Sequence, residues 1–206
     1  PAAQRGRDFA IMLKTLGDLG YLIEWRVINA AEYGFAQRRI RVFIVATRID
    51  LVSPKEQFNP TEHISKLGIL SRAFSISQPP TLKEIEIKQS PDYLTSNFGL
   101  GLKKSPFENA GVFLNGVAYT GRVESSSAIP GKTLGDVVIP ANLVPNEFWV
   151  SEEKIQDWQY LKGAKSIERT HKASGVKFKY AEGKMAFPDL LSNPSRTIIT
   201  GEGGSS

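Results

Sequence analysis

Residues 42–46, VFIVA, are apolar at every position. A strand of this composition needs cover on both of its faces, so we expect a buried strand here. The earlier stretch of residues 21–28, YLIEWRVI, alternates instead, with Glu24 and Arg26 on the side opposite to its apolar residues. This alternation predicts a half-exposed strand.

An amphipathic helix is predicted just before these strands. Apolar side chains recur over residues 7–19 at the spacing of one helix face: Phe9, Met12, Leu13, Leu16 and Leu19. Gly20 follows where a helix commonly ends. The first 50 residues are therefore expected to form a helix, a strand, a loop and a second strand.

The composition of the chain changes after Asp50, where most of the 12 prolines and 18 glycines lie. We therefore expect a domain boundary near residues 50–54, separating residues 1–50 from residues 51–206. The expected elements are shorter: a segment at 65–74, a helix at 81–87, strands near 112–119 and 137–139, and a helix over 151–161 with Ser151 as its N-cap.

Composition excludes several classes of site. The chain has no cysteine, so it carries no disulfide, zinc–thiolate site or cysteine nucleophile. No apolar run approaches the roughly 18 residues that span a bilayer, and the N-terminal sequence lacks a signal-peptide core. We expect a cytoplasmic protein without membrane contact. Both ends of the sequence look cut.

Two short strings resemble cofactor-binding motifs but lack their context. The GKT string at residues 131–133 has Ser126 where a phosphate-binding loop needs glycine. The FGLG string at residues 98–101 has no strand before it, so a plain turn is expected. His63 and His171 stand apart from other ligand types, and no metal site is expected.

The net charge of +5 fits a polyanionic partner or a merely basic surface. Cations concentrate in residues 162–184, with aromatic residues between them. The candidates for DNA contact there are Lys162, Lys165, Arg169, Lys172, Lys177 and Lys179. Such cations can meet phosphates while their neighbours meet base edges. An ordinary solvated face is the alternative.

A second cationic cluster, Gln37-Arg38-Arg39-Ile40-Arg41, leads directly into the apolar run. Strand alternation places Arg39 and Arg41 on the same side. Two guanidinium groups on one face can bind an anion or carbonyl oxygens. The alternative is a salt-bridged strand edge.

Residues 20–45, GYLIEWRVINAAEYGFAQRRIRVFIV, resemble the seventh and eighth sequence blocks of the DNA cytosine-5 methyltransferases. Ala36 departs from the family pattern, which has proline there. Residues 193–206, NPSRTIITGEGGSS, resemble the end of that family's target-recognition domain.

The resemblance implies a mixed α/β fold. Residues 1–50 would form the edge of a Rossmann-like methyltransferase sheet, with one helix and two strands of the catalytic domain. Residues 51–206 would form an irregular, mostly β target-recognition domain.

It also implies a function: a bacterial enzyme of restriction–modification type that transfers a methyl group from S-adenosylmethionine to C5 of a flipped cytosine in double-stranded DNA. Arg41 would contact O2 of that cytosine, and Arg39 would position neighbouring active-site groups or a phosphate. Gln37, Arg196 and Thr197 would contact DNA. For Thr197, the alternative of a purely structural role as a helix N-cap or a strand residue stays open.

In the family, the cysteine nucleophile and most of the cofactor site precede these blocks. The resemblance therefore implies a fragment that is inactive alone and whose partner is the missing N-terminal catalytic segment. A non-catalytic DNA-binding specificity subunit, or one half of a split enzyme, is the alternative. A single-strand or RNA-binding domain is less well supported, because no motif of such domains is present.

Overall fold

The computed structural model describes residues 2–51, 58–170 and 175–197. The chain forms two compact units. Unit 1 comprises Pro1–Gly34 and Arg39–Gly131, and unit 2 comprises Phe35–Arg38 and Lys132–Ser206. These compact units do not divide the chain near residue 50. The expected division into a catalytic part and a recognition part concerns function and stays a prediction.

Unit 1 is built on a five-stranded sheet of β1 (Tyr21–Asn29), β3 (Ile40–Arg48), β4 (Leu82–Glu86), β5 (Ala110–Leu114) and β6 (Val117–Gly121). The strand order is β3-β1-β5-β6-β4, and every neighbouring pair is antiparallel. Asn115 and Gly116 turn β5 into β6 with φ angles of 49° and 79°. Asparagine and glycine are favoured at such turns because they tolerate positive φ.

Helices α1 (Arg7–Asp18) and α4 (Pro91–Asn97) contribute to the core on one face of this sheet. Phe9, Trp25 and Phe107 meet edge to face at its centre, with ring centroids 5.0–6.0 Å apart. A Cβ atom on Gly111 would clash with the Trp25 ring, so only glycine leaves room for that ring. The predicted helix over residues 7–19 is confirmed.

The opposite face of the sheet is covered by α2 (Pro60–Glu62), a π-helical turn (His63–Leu67) and α3 (Ile69–Ala73). This layer buries Glu24 and Arg26, which are 5% and 3% exposed. The expectation that β1 is half exposed is wrong, because β1 lies between two strands and its polar side chains bond to the covering layer.

Strand β3 is more exposed than predicted, whereas β1 is more buried. It forms as predicted, but it is the edge strand of the sheet, and its apolar side chains are largely exposed. The expectation that residues 42–46 are buried is therefore wrong for this structure, since β1 flanks β3 on one side only.

Two further local predictions fail. Residues 82–86 form strand β4 rather than a helix; Ile85 and Ile87 stand two positions apart, which is the strand period. Residues 137–139 form no strand in the described structure, and their side chains are about half exposed. The expected strand over residues 112–119 is instead the hairpin of β5 and β6.

Unit 2 contains α5 (Glu152–Lys162) and the antiparallel hairpin of β7 (Lys165–Thr170) and β8 (Lys177–Glu182). Strand β2 (Gln37–Arg38) pairs in parallel with β9 (Ser195–Arg196). Short 3-10 turns fill the segment before α5. The predicted helix near residues 151–161 and the mixed α/β class are confirmed. Within the described ranges, every helix is too short or too polar to span a bilayer.

Candidate functional site

The arginine cluster lies where the chain enters β3. Arg39 follows β2 directly, and its carbonyl oxygen accepts a hydrogen bond of 3.0 Å from the N–H of Ala30. The backbone is thus already held beside the end of β1 before β3 begins at Ile40. Since Arg39 and Arg41 are two positions apart on this paired backbone, their side chains are expected on the same side.

Both arginine side chains are exposed to solvent. The Nη1 atom of Arg41 donates a 2.7 Å hydrogen bond to the carbonyl oxygen of Ile40. In the described part of the chain, no ion pair includes Arg39 or Arg41. The salt-bridged strand edge therefore has no support there, and both cations remain accessible to an anionic ligand.

The sheet face that carries Arg41 is partly aromatic. Arg41 is paired with Ile28 and Phe43 with Arg26, and paired residues of antiparallel strands share a face. The Phe43 ring lies 5.8 Å from that of Phe74, which is itself 5.1 Å from the Tyr33 ring. Burial raises the pKa of Tyr33, and the positive charge of Arg26 opposes this rise.

Arg26 supports this aromatic group through hydrogen bonds to the backbone. Its guanidinium donates to the carbonyl oxygens of Phe74 and, at 2.6 Å, of Ile64. Sequence reasoning placed Arg26 on a solvent face and so missed its role. No sequence signal marks the two carbonyl groups as its partners, because they lie 48 and 38 positions away.

In unit 2, two sequence segments 159 positions apart meet beside Arg38. The hydroxyl of Thr197 donates a 2.7 Å hydrogen bond to the carbonyl oxygen of Arg38. Two residues earlier on each segment, the N–H of Ser195 donates a 2.8 Å bond to the carbonyl oxygen of Ala36. Ser195 and Thr197 therefore hold the backbone of residues 36–38, which precede Arg39 and Arg41.

Gln37 is half-buried in β2, and Arg196 is half-buried in β9 with its Nε atom 3.6 Å from Asp189. Asp189 was not among the candidate residues, and no motif marks it as a partner of Arg196. Thr197 lies directly after β9, so the structure assigns it a strand-supporting contact. Its contact with DNA stays a prediction.

The basic hairpin does not present its cations on one face. The register pairs Arg169 with Phe178 and Lys165 with Glu182, so these residues share a face. Lys177 and Lys179 lie on the other face, together with Glu168. Each face thus combines two cations with one carboxylate.

The exposed cations of the hairpin differ in their surroundings. The guanidinium carbon of Arg169 lies 3.8 Å from the centroid of the Tyr180 ring, a cation–π contact. Lys177 forms a 3.0 Å ion pair with Glu168, and both side chains are largely exposed. Such exposed pairs are weak, so Lys177 can exchange its partner for a phosphate.

The lysines near the start of the hairpin are less accessible. Lys162 is only 4% exposed, and its Nζ atom lies 5.4 Å from the Trp158 ring centroid. Burial lowers the pKa of Lys162, and Arg196 lowers it further. The Nζ atom of Lys165 donates a 2.7 Å bond to the carbonyl oxygen of Leu161. Lys172 and His171 lie outside the described residues.

The model of the family described as C-5 cytosine-specific DNA methylase matches residues 2–112, which is more than half of the chain. The chain belongs to this DNA methylase family. The predicted resemblance of residues 20–45 is thereby confirmed, and the arginine cluster lies within the matched range.

Curated relatives agree with the family model. Type II methyltransferase M.Sau3AI of Staphylococcus aureus is 37% identical over 211 residues, which cover 98% of this chain and 48% of the relative. Type II methyltransferase M.NlaIV of Neisseria lactamica is 29% identical over 94 residues, 46% of this chain and 22% of the relative. The chain spans about half the length of the Staphylococcus aureus relative. No solved structure matches the chain.

Neither of the two strings that resemble cofactor-binding motifs has the structure of such a motif in this family member. The FGLG string follows helix α4 rather than a strand, and the Phe98 ring stacks on Phe107 at 5.8 Å. In the GKT string, the N–H and hydroxyl of Thr133 each donate a 2.8 Å bond to Asp136, which forms a capping box. No cluster of metal-ligating residues occurs in the described ranges.

Proposed function

We propose that this chain is the recognition half of a DNA cytosine-5 methyltransferase of the restriction–modification type. The whole enzyme transfers a methyl group from S-adenosylmethionine to C5 of a cytosine flipped out of a double-stranded DNA site. The observation that carries the proposal is the exposed arginine pair at the start of β3, which no described carboxylate neutralises and which lies in the family match.

The proposed role of Arg41 follows from the electronic demand of cytosine. A nucleophile that adds to C6 moves electron density onto O2 and N3 of the ring. A cation held at O2 stabilises this charge as it develops, which lowers the barrier more than it strengthens binding. Arg41 supplies that cation, and Arg39 positions neighbouring groups or a phosphate.

DNA contact is assigned to unit 2, which includes strand β2. Arg169, Lys177 and Lys179 meet the phosphates from exposed positions on the hairpin. Gln37, Arg196 and Thr197 hold the DNA backbone near the extruded nucleotide, which must leave the stack to react. Because the partner is genomic DNA, we place the protein in the cytoplasm.

The nucleophile and the cofactor site belong to another part of the enzyme. This chain contains no cysteine, and neither of its two motif-like strings has the structure of a cofactor-binding motif. S-adenosylmethionine would supply the methyl group in the whole enzyme. We therefore expect the isolated chain to transfer no methyl group. Label transfer from tritiated cofactor to DNA by the purified chain, above a protein-free blank, would contradict this.

The test of Arg41 uses the whole enzyme under single-turnover conditions at saturating DNA. Arg41→Ala should lower the methylation rate by about 10²–10³-fold, the effect of losing one oxyanion-type donor, and change DNA affinity little. Arg41→Lys should restore little, since an ammonium group lacks the planar fork of arginine.

Arg48→Ala is the matched control. Arg48 lies on the same strand but is paired with Asp50 at 2.7 Å, so its loss should leave the rate near normal. An unchanged single-turnover rate in Arg41→Ala would remove Arg41 from the catalytic groups. Weaker DNA binding with a shallower salt dependence would instead identify it as a phosphate contact.

The lack of cysteine also favours a second candidate, a non-catalytic specificity subunit or one half of a split enzyme. For a specificity subunit, the chain should bind DNA while no polypeptide that contains it methylates cytosine. A bisulfite assay on DNA exposed to the longest natural form of the protein separates this candidate from the first.

A further inference from the structure

Strands β7 and β8 form a two-stranded ribbon with two unlike faces. One face, here called the polar face, carries six residues that are all exposed: Ser166, Glu168, Thr170, Lys177, Lys179 and Ala181. On the opposite face, Tyr180 and Glu182 are half-buried. Among the residues that the structure describes, the ribbon pairs with no further strand. The polar face is therefore accessible, and the major groove of DNA is wide enough to admit a ribbon of two strands.

Glu168 is the acidic residue of the polar face and stands between two lysines. Lys179 is its register partner, and the Nζ atom of Lys177 forms an ion pair of 3.0 Å with its carboxylate. The side chains of Glu168 and Lys177 are 67% and 73% exposed, so this pair is weak. The proposed function places both lysines at phosphates, which brings an ionised carboxylate close to a polyanion. Because like charges repel, this arrangement is favourable only if the DNA donates a hydrogen bond to the carboxylate.

The hydrogen-bond donors that DNA offers in the major groove are few. Cytosine presents its N4 amino group and adenine its N6 amino group, whereas guanine presents the acceptors N7 and O6 and thymine the acceptor O4. An ionised carboxylate accepts hydrogen bonds and donates none. Glu168 therefore matches cytosine or adenine and is repelled by guanine or thymine. A cavity of about 300 Å³ beside Glu168, lined also by Ser166, Lys177 and Lys179, leaves room for the edge of a base.

We propose that Glu168 determines part of the DNA specificity: its carboxylate accepts a hydrogen bond from the exocyclic amino group of a cytosine or adenine in the recognition site. This base is distinct from the cytosine that is methylated, because that cytosine leaves the duplex. The inference rests on the proposed function in one respect, that double-stranded DNA is the partner. The alternative is a solvated ion pair with Lys177, which gives no base preference.

The test measures DNA binding by the longest natural form of the protein. The protein selects duplexes from a pool with a randomised centre, and sequencing of the bound fraction gives its preference at each base pair. Glu168→Ala should lower the preference at one base pair by about fivefold or more, the lower range for a good base contact. The preferences at the other positions should persist. The affinity for non-specific DNA should not fall, since the substitution removes a negative charge.

Two further variants separate the hydrogen bond from the charge. Glu168→Gln removes the charge as alanine does but retains an acceptor oxygen, so it should keep most of the preference at that base pair. Glu182→Ala removes a carboxylate from the opposite face, where Lys165 lies 3.8 Å from it, and should leave every preference unchanged. If Glu168→Gln lost the preference as completely as Glu168→Ala, the ion pair with Lys177 would explain the effect and the proposal would be overturned.

Modified duplexes test the base itself. At the base pair identified by Glu168→Ala, the exocyclic amino group of its cytosine or adenine is replaced by hydrogen. This replacement should weaken binding of the wild-type protein about fivefold more than it weakens binding of Glu168→Ala, since any loss of base pairing is common to both. Equal weakening in the two proteins would show that Glu168 does not contact this group and would overturn the proposal.

A loss of preference at every position in Glu168→Ala would identify a residue needed to fold the hairpin and would overturn the proposal, as would a wild-type protein that prefers no sequence. The binding measurements do not depend on methylation. If the wild-type protein selected a sequence through Glu168 but methylated no DNA, the specificity role would stand and the proposed function would be rejected. If it methylated a specific site that Glu168→Ala recognised equally well, the reverse would hold.

Discussion

The buried carboxylate of Glu24 allows a quantitative test of how unit 1 is held together. Its Oε1 atom accepts a hydrogen bond of 3.1 Å from the N–H of Ile69, and Oε2 accepts one of 3.2 Å from Leu70. The Nε2 atom of His63 lies 3.2 Å from Oε1. One side chain of β1 thus binds the start of α3 and the adjacent π-helical turn.

Glu24→Leu keeps a similar volume but removes every one of these acceptors. Each buried N–H left without a partner costs about 1–3 kcal/mol. Because two buried N–H groups lose their acceptor, we expect a loss of about 2–6 kcal/mol. Glu24→Gln retains one acceptor oxygen and should cost less, about 1–2 kcal/mol. Against a typical domain stability of about 5–15 kcal/mol, the leucine variant should be near the limit of folding.

The assay is urea unfolding followed by the fluorescence of Trp25, which is 1% exposed. The other two tryptophans belong to unit 2, so replacing Trp149 and Trp158 by phenylalanine makes the signal specific to unit 1. The reasoning would be refuted if Glu24→Leu changed the free energy of unfolding of this double-phenylalanine protein by less than about 0.5 kcal/mol. Ordinary surface substitutions have effects of that size.

The contribution of Glu24 to the stability of unit 1 depends on pH with a defined sign. Burial raises the pKa of Glu24, but His63 and the N–H groups of Ile69 and Leu70 outweigh burial and hold it below its ordinary value of 4.5. A carboxyl group with a lowered pKa stabilises the fold above its unfolded-state pKa and loses this effect as pH falls through the folded-state pKa. The stability difference between wild type and Glu24→Gln should therefore shrink as pH falls below about 4.5.

Two other predictions concern packing and DNA contact. Gly111→Ala should destabilise unit 1 by about 1–3 kcal/mol in thermal unfolding, because its Cβ would clash with the Trp25 ring and with the backbone carbonyl of Tyr119; no change would show that both can move. Arg169→Ala and Lys179→Ala should each reduce the slope of log K against log salt in DNA titrations by about 1, if each contacts one phosphate. Lys162→Met should leave that slope unchanged, since Lys162 is buried, and a shallower slope in this variant would place it at the DNA.

The local sequence was sufficient to predict the elements whose structure depends on residues close together in the chain. Helix α1 follows from one apolar face that ends at Gly20, and the β5–β6 turn follows from the preference of Asn115-Gly116 for positive φ. The arginine string could be recognised as a candidate site because its spacing and neighbours match a family. None of these conclusions depends on which distant segments pack together.

Burial could not be predicted in the same way. Glu24 and Arg26 alternate with apolar residues as on a solvent-facing strand, yet both are buried because residues 60–73 supply hydrogen-bond partners for them. The apolar run at 42–46 reads as a core strand, yet it is an edge in this chain. Alternation reports which residues share a face, and the tertiary neighbours decide whether that face is covered.

The candidate site shows the same division. Arg39 and Arg41 are two positions apart before an apolar strand, and their shared face can be predicted from the sequence because it depends only on the strand period. The bond from Thr197 to the carbonyl of Arg38, the burial of Lys162 and the exposure of Lys179 became visible in the folded chain alone. Hydrogen bonds across 159 positions and the cover around a lysine arise from chain folding, and no local pattern of residues encodes them.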